Sequence, residues 1–113
     1  MQHLSIRFLI GLSKASDPGY PSDREADERA GAALGILSYT YPSLLAVRGK
    51  GYWNSAPEPT LVAEVIVPDT GEGARAKAVD VARVLAQALG QESVALAIAP
   101  VQFRLEGPYE TLG

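Results

Sequence analysis

Hydrophobic residues along the chain follow two periods, and one of them predicts strands. From Leu4 to Leu12, apolar side chains alternate with other residues, which indicates a strand with one buried face. The run from Thr60 to Val67 is almost continuously apolar or β-branched, which is typical of a central strand. Shorter apolar runs at residues 43–47 and 94–99 predict two more strands.

The other period, with apolar residues three and four apart, predicts two helices. The first helix is predicted over residues 23–37, and it begins with a capping box formed by Ser22 and Glu25. The second is predicted over residues 72–89, where Gly90 suits a left-handed C-cap. The order strand–helix–strand–strand–helix–strand predicts an α+β fold, the ferredoxin-like split βαβ sandwich, with two helices on one face of a four-stranded antiparallel sheet.

Proline positions agree with the strand order of this fold. The first and third strands are central in it, and the second and fourth are edges. Pro42 and Pro100 fall at the second and fourth strands, and proline suits an edge because it cannot donate a ladder hydrogen bond. The length of 113 residues fits one domain. We expect a single α+β domain at residues 1–105 and a C-terminal tail at residues 106–113.

Composition narrows the classes of function. The chain has no cysteine and only one histidine, His3, which excludes disulfides, thiolate catalysis and multi-histidine sites. We therefore expect no metal site and no cofactor. The formal net charge of −3 argues against nucleic-acid binding. No apolar run approaches the roughly 20 residues that cross a bilayer, and no signal peptide is recognisable, so we expect no membrane partner and a cytoplasmic location.

One face of the predicted sheet is left uncovered by the helices. Alternation places Arg7 and Leu9 of the first strand on this open face, together with Val62, Glu64 and Ile66 of the third. A contiguous exposed apolar patch usually marks an interface, most often with a second copy of the same chain. We therefore predict a homo-oligomer, a dimer or larger, whose interface includes Arg7, Leu9, Val62 and Ile66.

The only Trp lies in a glycine-rich stretch that we predict to be a long hairpin loop, at residues 48–59. Arg48 and Lys50 add positive charge there, and Tyr52 and Trp53 offer stacking faces, which suits a small anionic or aromatic ligand. Alternatively, Trp53 plugs the end of the core and the glycines serve only the turn geometry.

Three other polar residues are candidates for chemistry. Glu64 is the only ionisable residue in the apolar third strand. If it is buried, desolvation raises its pKa and makes it the best general base in the chain; alternatively, Arg7 and Glu64 form an ordinary cross-strand pair. Gln91 and Glu92 precede the last strand, where they either present polar groups at one end of the sheet or only form the exit from the second helix.

Three short motifs also resemble those of a known family. The segments Phe8-Leu9-Ile10-Gly11-Leu12, Gly49-Lys50-Gly51-Tyr52-Trp53 and Gln91-Glu92-Ser93-Val94 are similar to the F-x-G-L strand, the G-x-G-x-W turn and the Q-E-S-V segment of small uncharacterised bacterial and phage-encoded domains. The resemblance implies the same fold, with Trp53 and the Gln91-Glu92-Ser93 turn as family features. It implies no particular reaction.

These features favour a non-enzymatic binding module that acts as a homo-oligomer. Its predicted ligand-binding residues are Arg48, Lys50, Tyr52, Trp53, Glu64, Gln91 and Glu92. The alternative is a small enzyme of the α+β-barrel type that uses Glu64 as an acid or base in a pocket between the sheet and the hairpin. A third hypothesis is a structural subunit of a larger assembly.

Overall fold

The structure is a computed structural model that describes residues 2–14 and 16–108. Its strands are β1 (His3–Gly11), β2 (Leu45–Trp53), β3 (Ala56–Pro68) and β4 (Ala95–Val101), and its helices are α1 (Asp23–Thr40) and α2 (Glu72–Leu89). The order of strands and helices is the one that the hydrophobic pattern predicts.

The four strands form one antiparallel sheet in the order β2–β3–β1–β4. Strand β1 pairs with β3 on one side and with β4 on the other, and β3 pairs with β2. The first and third strands are therefore central, and the second and fourth are edges. The predicted fold class is confirmed: two helices pack on a four-stranded antiparallel sheet in an α+β fold.

The core lies between the two helices and one face of the sheet. Alternate residues of the central strands point into it, because successive side chains of a strand face opposite ways. The fully or almost fully buried side chains of these strands are Leu4, Ile6, Phe8, Ile10, Leu61, Ala63 and Val65. The helices cover them with Ala26, Ala30, Ala33, Leu37, Ala78, Val81 and Leu85. Since alanine is small, α1 can pack close to the sheet.

Both helices end and begin largely where the sequence predicts. The capping box of α1 is present: Ser22 Oγ accepts from the Glu25 N–H at 3.1 Å, and the Glu25 carboxylate accepts from the Ser22 N–H at 3.3 Å. The helix continues to Thr40, three residues beyond the predicted end. Helix α2 ends at Leu89, and the φ of 64° at Gly90 is the left-handed conformation expected at a C-cap.

The glycine-rich stretch is a strand, which corrects the prediction of a long hairpin loop over residues 48–59. Strand β2 continues through both glycines and stays paired with β3 up to the turn. Only Asn54 and Ser55 connect the strands, and their φ values of 49° and 65° are those of a two-residue type I′ hairpin. Glycine and proline are both depleted in strands, so the sequence suggested a loop where the chain stays extended.

Proline is tolerated inside β3 because of the direction in which its backbone faces. The Pro59 carbonyl accepts from the Leu12 N–H at 2.9 Å, so the polar backbone groups of Pro59 face away from β2. The missing N–H therefore removes no hydrogen bond from the β2–β3 ladder.

Tyr41 provides a test of the core. Its side chain is buried, with its ring centroid 5.9 Å from that of Phe8, and its hydroxyl has no hydrogen-bond partner among the described residues. Burial also raises the pKa of Tyr41. An unpaired buried hydroxyl costs about 1–3 kcal/mol, so we expect Tyr41→Phe to raise the free energy of unfolding by about 1 kcal/mol. Urea denaturation checks this, with the exposed Tyr39→Phe as the control; a less stable Tyr41→Phe would show that the hydroxyl is paired.

The described part of the chain contains no helix that is long and apolar enough to cross a membrane. In the predicted tail, residues 106–108 form neither helix nor strand, and residues 109–113 lie outside the described residues.

Candidate functional site

A cavity of about 440 Å³ opens at the end of the sheet where three segments meet: the tip of the β2–β3 hairpin, the loop after β1 and the loop before β4. We call it the hairpin-end cavity. Its wall includes Lys14, Trp53, Asn54, Glu58, Gln91 and Glu92. Cavities of roughly 300–1,000 Å³ with a few polar groups are typical of small-molecule sites.

Three of the predicted ligand-binding residues meet in this cavity. Trp53 lies at the end of β2, and Gln91 and Glu92 follow α2, almost forty positions later in the sequence. The turn that contains Gln91 and Glu92 therefore faces the hairpin across the cavity.

Arg48, Lys50 and Tyr52 lie elsewhere. They alternate with Gly49, Gly51 and Trp53 along β2, so they project from the opposite face of the strand. Arg48 Nη1 lies 2.6 Å from an Asp27 carboxylate oxygen on α1. Lys50 Nζ lies 5.9 Å from the centre of the Tyr20 ring. None of the three lines the hairpin-end cavity.

Gly51 allows the Trp53 indole to lie against the strand. A Cβ atom at Gly51 would be 2.9 Å from Trp53 Nε1 and 2.6 Å from Thr60 Oγ1, closer than real Cβ contacts. The indole therefore occupies the space that any other residue at Gly51 would need. About a third of Trp53 is exposed, so it forms part of the cavity wall and does not plug the core.

Glu58 is a site residue that sequence reasoning missed. Its Oε2 accepts from the Ser13 N–H at 3.1 Å, and its Oε1 has no hydrogen bond within the described residues. The carboxylate rests on Gly11, where an added Cβ would lie 2.3 Å from Oε1. The segment between Pro57 and Pro59 reads as a loop in the sequence, so no strand alternation assigned Glu58 to a face.

Glu64 lies outside the cavity, near the middle of the open sheet face. Its Oε2 accepts from Arg7 Nε at 2.7 Å and from Ser5 Oγ at 2.9 Å. These two hydrogen bonds, the one from Arg7 first, lower the pKa of Glu64. The expectation of a raised pKa therefore does not hold, because the side chain is only partly buried and has two donors. Glu64 is an ionised carboxylate at neutral pH.

The predicted interface residues all lie on the open face. Arg7 is opposite Glu64 in the β1–β3 register, and Leu9 is opposite Val62. Ile66 follows two positions after Glu64 on the same side of β3. Leu9 also lines the hairpin-end cavity, so the open face and the cavity are continuous.

A buried ion pair anchors the loop that follows β1. Arg29 of α1 donates two hydrogen bonds to Asp17, at 2.7 and 3.0 Å, and a third to the Leu12 carbonyl at 2.7 Å. The side chains of Arg29 and Asp17 are 12% and 9% exposed. The hydrogen bonds from Arg29, and after them the one from the Lys14 N–H, lower the pKa of Asp17 to about 2.

This ion pair predicts how stability depends on pH. A folded-state pKa of about 2, below the ordinary value of 3.8, stabilises the fold above pH 4, and this contribution is lost as the pH falls through about 2. We expect Asp17→Asn to be less stable than the natural chain at pH 6, and the difference to shrink as the pH approaches 2. Urea denaturation at several pH values measures it. The control is Asp80→Asn, whose side chain is 77% exposed; a pH-independent effect of Asp17→Asn would contradict the assignment.

Two other observations bear on ligands. A second cavity of about 760 Å³ lies between α1 and α2, and none of the predicted ligand-binding residues lines it. Within residues 2–14 and 16–108, no three His, Asp or Glu side chains converge in a way that could hold a metal ion.

The fold and the cavity define a small α+β protein with a ligand-sized site at one end of its sheet. The chain is similar in structure to a phage SAM lyase in complex with S-methyl-5′-thioadenosine, with a TM-score of 0.58 and 20% sequence identity over 86% of this chain and 80% of that chain. It is also similar to a phage SAM lyase in its apo state, with a TM-score of 0.57 and 17% identity over 97% and 94% of the two chains. No protein-family model and no curated protein sequence matches the chain.

This likeness corrects the prediction of a non-enzymatic binding module. Two solved structures that share the fold over most of the chain are those of a phage SAM lyase, which is an enzyme. They favour the alternative prediction, a small enzyme with a pocket between the sheet and the hairpin. At 17–20% identity, the likeness itself shows the fold.

Proposed function

We propose that this chain is an enzyme that cleaves S-adenosylmethionine and releases S-methyl-5′-thioadenosine. The observation that carries the proposal is the hairpin-end cavity, which combines an indole and two carboxylates in a fold that is similar to a phage SAM lyase over most of its length. S-adenosylmethionine has an adenine ring and a positively charged sulfonium, and these two groups suit an aromatic and acidic wall.

The cavity supplies a partner for each of these groups. The Trp53 indole offers a flat face on which adenine can stack or over which a cation can lie, and about 440 Å³ is enough for a ligand of this size. Glu58 has an oxygen without a hydrogen bond inside the described residues, and Glu92 brings a second carboxylate to the wall. Both can attract the positive charge of the ligand.

The proposed reaction balances with the substrate alone. The bond between sulfur and the γ carbon of the methionyl chain breaks, and both of its electrons go to sulfur, which becomes a neutral thioether. The γ carbon loses that electron pair and forms a new bond in its place. Either a base removes a proton from the β carbon, so that a β–γ double bond forms, or the carboxylate of the substrate itself attacks the γ carbon, so that a carbon–oxygen bond forms. Neither route needs an oxidant or a reductant.

Glu64 is the second candidate for a role in this reaction. It is ionised, faces the open side of the sheet, and is joined to the cavity by the surface that includes Leu9. An ionised carboxylate suits attraction of a cation or removal of a proton, and it does not suit donation of one. Glu64 already forms an ion pair with Arg7, so a cationic substrate would compete with Arg7 for the Glu64 carboxylate.

The test is incubation of the purified chain with S-adenosylmethionine, with separation of the products by chromatography. We expect S-methyl-5′-thioadenosine to accumulate, and Trp53→Ala and Glu58→Gln to slow its release by about a hundredfold. Glu64→Gln shows whether the open face takes part, and the exposed Glu28→Gln serves as the matched control. A folded chain that forms no S-methyl-5′-thioadenosine would refute the proposal.

We also propose that the chain forms a homo-oligomer through its open sheet face. Apolar side chains on this face are exposed, with 64% of Leu45 and 58% of Val47 accessible, and they extend the surface that Leu9, Val62 and Ile66 begin. A second copy of the chain is the occupant that such a surface most often takes. Light scattering should give at least twice the mass of one chain; a monomer at micromolar concentration would contradict it.

A further inference from the structure

Lys14 brings positive charge to a cavity whose other charged groups are acidic. It is the only Lys or Arg among the residues that line the hairpin-end cavity. Its side-chain carbons lie along Gly90, with Cδ 3.8 Å and Cγ 3.9 Å from the position that a Cβ at Gly90 would take. Within the described part of the chain, the Lys14 side chain forms no ion pair, so its ammonium is available to a ligand.

The backbone around Lys14 is held by side chains from three parts of the fold. The Ser13 N–H donates to Glu58 of β3, and the Ser13 carbonyl accepts from Gln91 after α2. The Lys14 N–H donates to Asp17 at 2.7 Å, and the Lys14 carbonyl accepts from the Asp17 N–H at 3.0 Å. The Lys14 side chain therefore extends from a backbone that hydrogen bonds hold in place.

The Arg29–Asp17 ion pair attaches the segment that contains Lys14 to helix α1. Arg29 binds Asp17 through two parallel hydrogen bonds and also binds the carbonyl of Leu12, so α1 holds both ends of the segment that contains Lys14. The guanidinium has a rigid fork that lysine cannot reproduce, which makes the arrangement directional as well as charged.

We propose that Lys14 binds the carboxylate of an amino-acid group on the ligand, and that Arg29 and Asp17 position it. This inference rests on the proposed function, because S-adenosylmethionine carries such a carboxylate beside its adenosine. Trp53, Glu58 and Glu92 suit the aromatic and cationic parts of that ligand, and Lys14 is the group in the cavity wall that complements its anion. Lys14 is then a specificity-determining residue, and Arg29 and Asp17 are positioning residues.

The experiment compares two probes that differ only in the carboxylate. Initial rates of S-methyl-5′-thioadenosine release give the KM for S-adenosylmethionine, and inhibition of that reaction gives the inhibition constant of decarboxylated S-adenosylmethionine. Both are measured for the natural chain, for Lys14→Met and for the charge-matched control Lys77→Met. If Lys14 forms a charge-assisted hydrogen bond with the carboxylate, Lys14→Met should weaken the binding of S-adenosylmethionine by about tenfold to a hundredfold. Lys14→Met should change the binding of the decarboxylated probe by no more than about twofold. Lys77→Met should change the binding of neither probe.

The positioning role has its own readout. We expect Arg29→Gln to lower the preference for S-adenosylmethionine over the decarboxylated probe, and Arg29→Lys to restore part of that preference. If Arg29 had a purely structural role, Arg29→Gln would weaken the binding of both probes alike and leave the ratio of the two affinities unchanged. That result would overturn the positioning role. Equal weakening of both probes by Lys14→Met, or of neither, would overturn the role of Lys14. If the natural chain binds neither probe, the proposed function itself fails, and this inference fails with it.

Discussion

Replacement of Gly11 by alanine is expected to remove most of the proposed cleavage of S-adenosylmethionine while the fold stays intact. An added Cβ would lie 2.3 Å from Glu58 Oε1 and 2.6 Å from Glu58 Cδ, so the carboxylate has to leave its position on β1. Since displacement of a site group by an ångström can cost about a hundredfold in rate, we expect a loss of that order in release of S-methyl-5′-thioadenosine.

The fold should survive because the colliding group is the end of a flexible side chain. Glu58 can rotate toward solvent, so we expect the free energy of unfolding to change by no more than about 1–2 kcal/mol, which includes the lost hydrogen bond to Ser13. Faster hydrogen exchange of the Ser13 amide would report the displacement independently of activity. Gly49→Ala is the matched strand control, because a Cβ at Gly49 meets no atom within 4 Å. Full activity in Gly11→Ala would show that the position of Glu58 does not matter.

Replacement of Phe8 by alanine is expected to have the largest effect on stability. Phe8 is completely buried at the centre of β1, with its ring against that of Tyr41. Removal of a buried aromatic ring leaves a cavity and typically costs about 3–5 kcal/mol, against a total of about 5–15 kcal/mol for a natural domain. We therefore expect Phe8→Ala to be partly or wholly unfolded at 37 °C.

Urea denaturation followed by circular dichroism measures this loss. Phe103→Ala is the control with the same change in composition, because Phe103 lies beyond β4, is 40% exposed and is outside the buried core. We expect its effect to stay below about 1 kcal/mol. Similar losses in the two variants would mean that the core is not organised around β1.

The fold could be predicted because its sequence signals agree at several levels. Strict alternation in β1 and the almost continuous apolar run in β3 identify central strands, and the capping box at Ser22 fixes the start of α1. The extent of β2 could not be predicted, because the strand carries glycine at two positions of one face. There, glycine does not signal a turn: at Gly51 it makes room for the Trp53 indole.

The site was only partly predictable, for a related reason. Trp53, Gln91 and Glu92 are conspicuous in the sequence, and the structure brings them together. Glu58 was missed because prolines on both sides of it made this part of β3 look like a loop. The expected rise in the pKa of Glu64 was wrong because Arg7 and Ser5 donate hydrogen bonds to its carboxylate. Partners in other strands decide the ionisation of a side chain, and the local sequence does not contain them.

The position of Trp53 has a practical consequence. Residues 50–53 of β2 extend beyond the last pair of β1 with β3, so the indole is carried on a two-stranded arm at the rim of the cavity. Because the chain contains one tryptophan, its tryptophan fluorescence, excited at a wavelength that tyrosine does not absorb, comes from that rim alone. Emission intensity and wavelength therefore form a built-in optical probe with which occupancy of the cavity can be followed in solution, without a label.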